Sequence, residues 1–245
     1  MWGKPSFCYE VLDSTQEEAK RLYKERKLVD GALIWADAQM HGRGRRGRKW
    51  FSPKGAGLWF TVAFKPSLPS DKLQLVNIAS GVAICNFLLR KGLKAVLKWP
   101  NDVLVRMKKI CGILTEGIFN GKDLEFCLLG VGVNLKPSED FPLELRKEIT
   151  SFQEEAGYCP SKGDMLSEIL QDLYLKNRVL QENPEEVLSE YKKLCGTLGK
   201  KVFFEKGGEI FEGIARDVDE MGRLVVETVD SLEVLSSEML IKVGE

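Results

Sequence analysis

Hydrophobic and polar positions alternate with strand period over residues 7–12, and the chain then enters Asp13-Ser14-Thr15-Gln16-Glu17-Glu18-Ala19. Ser14 and Glu17 stand at capping-box spacing, which predicts a helix to about residue 26 capped by Ser14. Residues 31–38 (GALIWADA) and 57–64 (GLWFTVAF) are apolar strands, the first delivering Gln39 and the second following a long connection. Over residues 71–90, Leu75, Ile78, Ala79, Val82, Ala83, Phe87 and Leu88 recur at helical spacing, with Gly92 as a stop. Residues 96–99 form a strand ending in Lys98-Trp99-Pro100-Asn101-Asp102, and 103–105 resume extended structure. A hairpin begins near Lys109; its turn is Asn120-Gly121, and its second strand contains Gly130-Val131-Gly132-Val133-Asn134. A mixed, mostly antiparallel sheet with helices on one side makes this an α+β domain.

The texture changes twice further on. Residues 136–160 carry Pro137, Pro142 and Pro160 among many charges, predicting loop and short helix. Ser161 with Asp164 and Asn183 with Pro184 then open two helices, the second ending before Gly196. From Leu198, short alternating runs are separated by turns at 206–208 and 220–222, the pattern of a small β-barrel of about 50 residues. The expected domains are therefore 1–195 and 196–245.

Composition narrows the chemistry. Of 245 residues 44% are apolar and 29% charged, and the formal net charge is zero, so any basic feature is local and the chain is no polycation. No uninterrupted apolar run approaches the roughly 18 residues of a membrane span, and Met-Trp-Gly-Lys-Pro has no signal-peptide core, so a cytoplasmic protein is expected. Six cysteines without a C-x-x-C pair read as reduced core thiols. A single histidine, His41, rules out His-rich metal sites, and no side-chain metal ligands are assigned.

The most unusual stretch is residues 42–50, Gly42-Arg43-Gly44-Arg45-Arg46-Gly47-Arg48-Lys49-Trp50. Glycines allow close backbone approach, guanidinium groups grip phosphate or carboxylate, and Trp50 offers a face for a flat ring. Taken alone, the segment also suits a solvated face or a footprint on nucleic acid. It fits G-x-G-x-x-G literally, yet no helix opens within the glycines and no acid follows at the required distance, so the dinucleotide reading fails. Three other polar clusters interrupt apolar strands: Asp13-Ser14-Thr15 with Gln39, Lys98 to Asp102, and Lys109 with Gly112. Hydroxyls and an amide for a neutral polar group, cations for phosphate and an aromatic for a base together suggest joining a small acid to a nucleotide.

In order and spacing, Asp13-Ser14-Thr15, Gln39, the 42–50 segment, Lys98-Trp99-Pro100-Asn101-Asp102, the run from Lys109 to Leu114 and Gly130 to Asn134 resemble the biotin protein ligases. The resemblance covers the whole chain and implies a class II synthetase-like core with an SH3-like C-terminal domain. It implies that biotin and MgATP give biotinyl-5′-AMP, from which biotin passes to one lysine of a biotin carboxyl carrier protein. Ser14, Thr15 and Gln39 would bind the ureido ring, helped by backbone of Arg43, Gly112 and Leu114. Arg43, Arg45, Arg46 and Arg48 would order over the adenylate, Trp50 would stack on adenine, and Asn134 would contact the nucleotide. Lys109 and Arg45 would be catalytic, with Lys98, Asn101 and Asp102 in structural or indirect roles. Because the core begins almost at Met1, the monofunctional type without a DNA-binding domain is expected, with no DNA or membrane partner. Family members often pair through sheet edges, and nothing in the sequence decides that here. Lipoate or octanoate ligases and transferases share the general fold; the polar set Ser14, Thr15 and Gln39 argues against them.

Overall fold

The alternating stretches fold into two sheets, and the computed structural model describes residues 2–244. Strands β1 (Ser6–Leu12), β2 (Ala32–Gln39), β3 (Gly57–Phe64), β4 (Ala95–Lys98), β5 (Asp102–Val105), β6 (Lys108–Asn120) and β7 (Asp123–Asn134) form a seven-stranded sheet ordered β1-β2-β3-β7-β6-β5-β4. Only β1 and β2 run parallel, joined by α1 (Thr15–Lys24); every other neighbouring pair is antiparallel. Six helices are described: α1, α2 (Leu73–Arg90), α3 (Leu143–Glu148), α4 (Phe152–Ala156), α5 (Lys162–Glu182) and α6 (Pro184–Leu194).

Strand period sorts residues between the two faces. Leu58, Phe60, Val62 and Phe64 of β3 and Cys127, Leu129, Val131 and Val133 of β7 share one core with α2, α5 and α6. Ala32, Ile34 and Ala36 of β2, with Ala63, Phe126 and Leu128, pack instead with Ala19 and Leu22 of α1. The helical layer expected on one side is thus α2, α5 and α6, and α1 lies on the opposite face. A parallel crossover must carry its connection over the sheet, and α1 is that connection. It covers only part of its face and leaves the ends of β3, β6 and β7 open to loops. Helix α2 is long and apolar enough to cross a membrane by composition, but most of it is buried between sheet, α5 and α6.

Capping followed expectation at two helices and failed at the third. Ser161 accepts from Asp164 N and Asn183 from Glu186 N. Ser14 occupies the cap position of α1, but its side chain makes no capping bond. Its hydroxyl is left for another purpose.

The C-terminal strands β8 (Lys201–Lys206), β9 (Glu209–Val218), β10 (Leu224–Glu227), β11 (Leu232–Leu235) and β12 (Leu240–Val243) form an antiparallel SH3-like sheet ordered β11-β10-β9-β8-β12. Sequence pattern had not marked β12. Val202, Phe204, Ala215, Leu224 and Leu235 continue the core that contains α2 and β4. Trp99 Nε1 donates to the Gly222 carbonyl at 2.9 Å, and Trp99 N donates to Thr197 Oγ1 at 3.0 Å. The turn from Lys98 to Asp102 is therefore fastened to the small sheet.

Candidate active site

On β7 the alternation Gly130-Val131-Gly132-Val133 sends the valines to the core and leaves the glycines facing α1's side. Gly132 pairs with Gly112 across the β6–β7 ladder, so at this point the sheet has a floor without side chains. Trp50 fills it. A Cβ at Gly112 would lie 2.7 Å from Trp50 Cζ3, and one at Gly132 would lie 2.5 Å from Trp50 Cε2. The indole also meets Trp59 edge-on, with ring centroids 6.2 Å apart.

Lys109 reaches the same place through a bulge. Val103 pairs with Cys111 but Leu104 pairs with Lys109, leaving Ile110 as the extra residue. Regular period would set Lys109 and Gly112 on opposite faces; the bulge instead puts both Ile110 and Cys111 in the core and turns Lys109 toward the floor. Its Nζ pairs with Asp102 Oδ1 at 2.6 Å and stands 4.9 Å from the Trp50 ring centroid.

Beside the floor runs a polar chain. Thr61 Oγ1 donates to Thr15 Oγ1 at 2.8 Å, Thr15 N donates to Gln39 Oε1 at 2.9 Å, and Gln39 Nε2 donates to Ser52 Oγ at 2.8 Å. Gln16 Nε2 donates to the Leu114 carbonyl at 2.9 Å. Two atoms in this group lack partners: Ser14 Oγ and Gln16 Oε1, on residues only 1% and 3% exposed. An orphaned buried polar atom costs about 1–3 kcal/mol, and these two belong to residues that line the cavity, where a bound polar group could pair with them.

The 42–50 segment crosses the mouth between β2 and β3, with one 3-10 turn at Arg45–Gly47 and Arg46 in the left-handed region at φ 56°. Arg43 pairs with Glu17 and Glu116. Arg45 Nη1 donates to Asn101 Oδ1 at 3.3 Å and its Nη2 to the Ser237 carbonyl, while Arg46 donates to the Leu240 carbonyl. Burial pushes the Arg45 guanidinium pKa down, and the neighbouring Arg46 charge pushes the same way. Asn101 Nδ2 donates to the Ile113 carbonyl at 2.6 Å, so Asn101 ties Arg45 to β6.

These residues enclose a cavity of about 260 Å³. Ser14, Thr15, Gln39, Arg43, Arg45, Arg46, Arg48, Trp50, Lys98, Asn101, Asp102, Lys109, Gly112, Leu114 and Asn134 all line it, so the expected site residues converge. Trp50 has its ring on the glycine floor, and Asn134 donates to the Thr150 and Lys109 carbonyls while both stay in the cavity lining. Gln16, Ser52, Thr61, Ser237 and Lys242 were not singled out by sequence. Gln16, in the first turn of α1, carries no sequence signal that separates it from a solvated polar residue. His41 is exposed and outside the cavity lining.

A mixed sheet with a glycine floor, a polar pocket at one end, a cationic loop over it and an SH3-like closing domain defines a ligase core that attaches a small acid to protein. The chain belongs to the Biotin/lipoate A/B protein ligase family, whose profile matches residues 8–134, and the Biotin protein ligase C terminal domain profile matches residues 197–238. It is 30% identical over 240 residues to the Bifunctional ligase/repressor BirA of Bacillus spizizenii, covering 96% of this chain and 73% of that one. It is 31% identical over 218 residues to the Biotin--[acetyl-CoA-carboxylase] ligase of Mycobacterium tuberculosis, covering 85% and 78%. The structure of the Aquifex aeolicus biotin protein ligase in complex with biotin and ATP superposes with a TM-score of 0.82 at 27% identity, covering 97% of this chain and 98% of that one.

Proposed function

We propose that this biotin ligase activates biotin with MgATP as biotinyl-5′-AMP and then transfers biotin to one lysine of a biotin carboxyl carrier domain. The observation that carries the reading is the pair of unpartnered buried atoms, Ser14 Oγ and Gln16 Oε1, beside a held Thr15–Gln39–Ser52 chain and a cluster of cations. A ureido ring offers two N–H donors and one carbonyl acceptor, a set that suits these groups. An alkyl chain or dithiolane offers none. The Aquifex aeolicus relative was solved with biotin and ATP, which supports both substrates here.

In the first step a biotin carboxylate oxygen attacks the α-phosphorus and pyrophosphate leaves. Two anions meet, so cations must offset their repulsion and the charge of the transition state. Lys109, held by Asp102, and Arg45 and Arg46 line the cavity and can supply that charge. Magnesium enters with the nucleotide and neutralises phosphate charge. In the second step the neutral amine of the carrier lysine attacks the anhydride carbonyl and AMP leaves. The loop excludes water from the anhydride in between.

Biotin-dependent exchange of labelled pyrophosphate into ATP tests the reading. Exchange supported by lipoate or octanoate and not by biotin would overturn it in favour of the lipoate/octanoate alternative.

A further inference from the structure

One arginine of the 42–50 segment is engaged unlike the others. Arg45 and Arg46 are held by neutral oxygens, whereas Arg43 pairs with two carboxylates outside the cavity lining, Glu17 of α1 and, at 3.4 Å, Glu116 of β6. Among the described residues no other cation of the segment has an acidic partner. Lys20 of α1 draws on the same two acids, with its Nζ 2.9 Å from Glu17 Oε1 and 2.9 Å from Glu116 Oε2. Two cations thus compete for two carboxylates, and the group of four is neutral.

Glu17 follows Gln16 on α1, and Glu116 stands just beyond Leu114 on β6, whose carbonyl accepts from Gln16 Nε2. The two acids therefore flank the pocket that holds Ser14 and Gln16. The segment also folds back on itself: Trp50 N donates to the Gly42 carbonyl at 2.8 Å, and Gly44 N donates to the Arg48 carbonyl at 2.7 Å. A hold on Arg43 is consequently a hold on both legs of the loop.

We propose that Glu17 and Glu116 are positioning residues that keep the cationic loop down over the pocket through Arg43, and that Lys20 opposes them by sharing the same carboxylates. Neither acid touches the reacting groups. They set how long the loop stays closed, and so how fast a small acid bound beneath it escapes. Lys20 keeps the grip below its maximum, which suits a loop that opens in every turnover. That the bound acid is biotin rests on the functional reading above; the four-charge strap does not.

Trypsin reports on the loop directly, since Arg45, Arg46, Arg48 and Lys49 are cleavage points and mass spectrometry separates cuts there from cuts elsewhere. In the ligand-free full chain, Glu116→Gln leaves two cations on one carboxylate and is expected to speed loop cleavage by about two- to fivefold, the scale of an exposed ion pair. Lys20→Met leaves both carboxylates to Arg43 and is expected to slow cleavage by a similar factor. The double variant restores one acid to one cation and should return close to wild type. Dissociation of labelled biotin into excess unlabelled biotin should follow the same order, while the single-turnover rate of adenylate formation at saturating biotin stays unchanged in all three. Loop cleavage that is unchanged, that moves the same way in both single variants or that does not recover in the double variant would overturn the proposal. So would biotin off-rates equal to wild type, or a fall in the single-turnover rate. Opposite cleavage shifts in a chain that does not bind biotin would instead overturn the functional reading and leave the strap standing.

Discussion

Under the proposed function, Ser14 and Lys109 separate binding from chemistry at the scale of single residues. The Ser14 hydroxyl has no protein partner, so Ser14→Ala removes nothing that holds the fold and relieves an orphaned atom. The expected result is an unchanged or slightly raised melting temperature with a biotin KM higher by about tenfold, worth one buried hydrogen bond. A biotin KM equal to wild type would remove Ser14 from the pocket. Lys109 lines the cavity and under the proposed function meets the reacting charges, so Lys109→Ala should lower the single-turnover rate of adenylate formation by about tenfold to a few hundredfold. A wild-type rate would exclude it from the site. Ser14, Thr15, Gln39 and the arginines were legible from residue type and spacing. Gln16 was not, because a polar residue in a first helical turn reads as solvated until Leu114 and Gly130 are seen against it.

Among the elements, α1 carries both a binding edge and its own electrostatic fastening. Asp13, just before the helix, pairs with Arg21 at 2.7 Å. Hydrogen bonding from Arg21 lowers the Asp13 carboxyl from its ordinary 3.8 to about 2. A depressed carboxyl pKa stabilises the fold above 3.8, and that contribution is lost as pH falls from 3.8 toward 2. Asp13→Asn should therefore cost about 1 kcal/mol at pH 7, allowing for solvent screening of a pair more than a third exposed, and almost nothing near pH 2. Urea midpoints at the two pH values measure this, and a difference independent of pH would assign the effect to packing. Strands β2, β3, β6 and β7 and helices α2, α5 and α6 were visible in periodicity and caps. Strand β12 was hidden because four residues give too short an alternation to separate from a loop.

Across the whole molecule the sequence suggests two domains, while the core is continuous between them. Trp99 is the clearest link, buried with its Nε1 donating to Gly222 of the small sheet. Trp99→Phe leaves the Gly222 carbonyl without that donor and is expected to cost about 2–4 kcal/mol. The loss should appear in one cooperative transition, with fluorescence and far-UV circular dichroism coincident in denaturant. Two separated transitions would show the C-terminal sheet unfolding by itself.

Local rules were enough for the sequence to determine the strands, most helices, the antiparallel β6–β7 hairpin and the set of polar groups that line the cavity. Those features depend on side-chain period, turn chemistry and residue type, which are properties of neighbouring residues. Tertiary structure alone decided which face each group occupies. Period by itself would turn Lys109 away from Gly112, and one extra residue in the β5–β6 ladder brings them together. The capping expectation for Ser14 fell because the hydroxyl faces the cavity, and the C-terminal carbonyls reached Arg45 and Arg46 from some 190 residues away. Contacts of that separation form only when distant strands pack, and no window of sequence contains both partners.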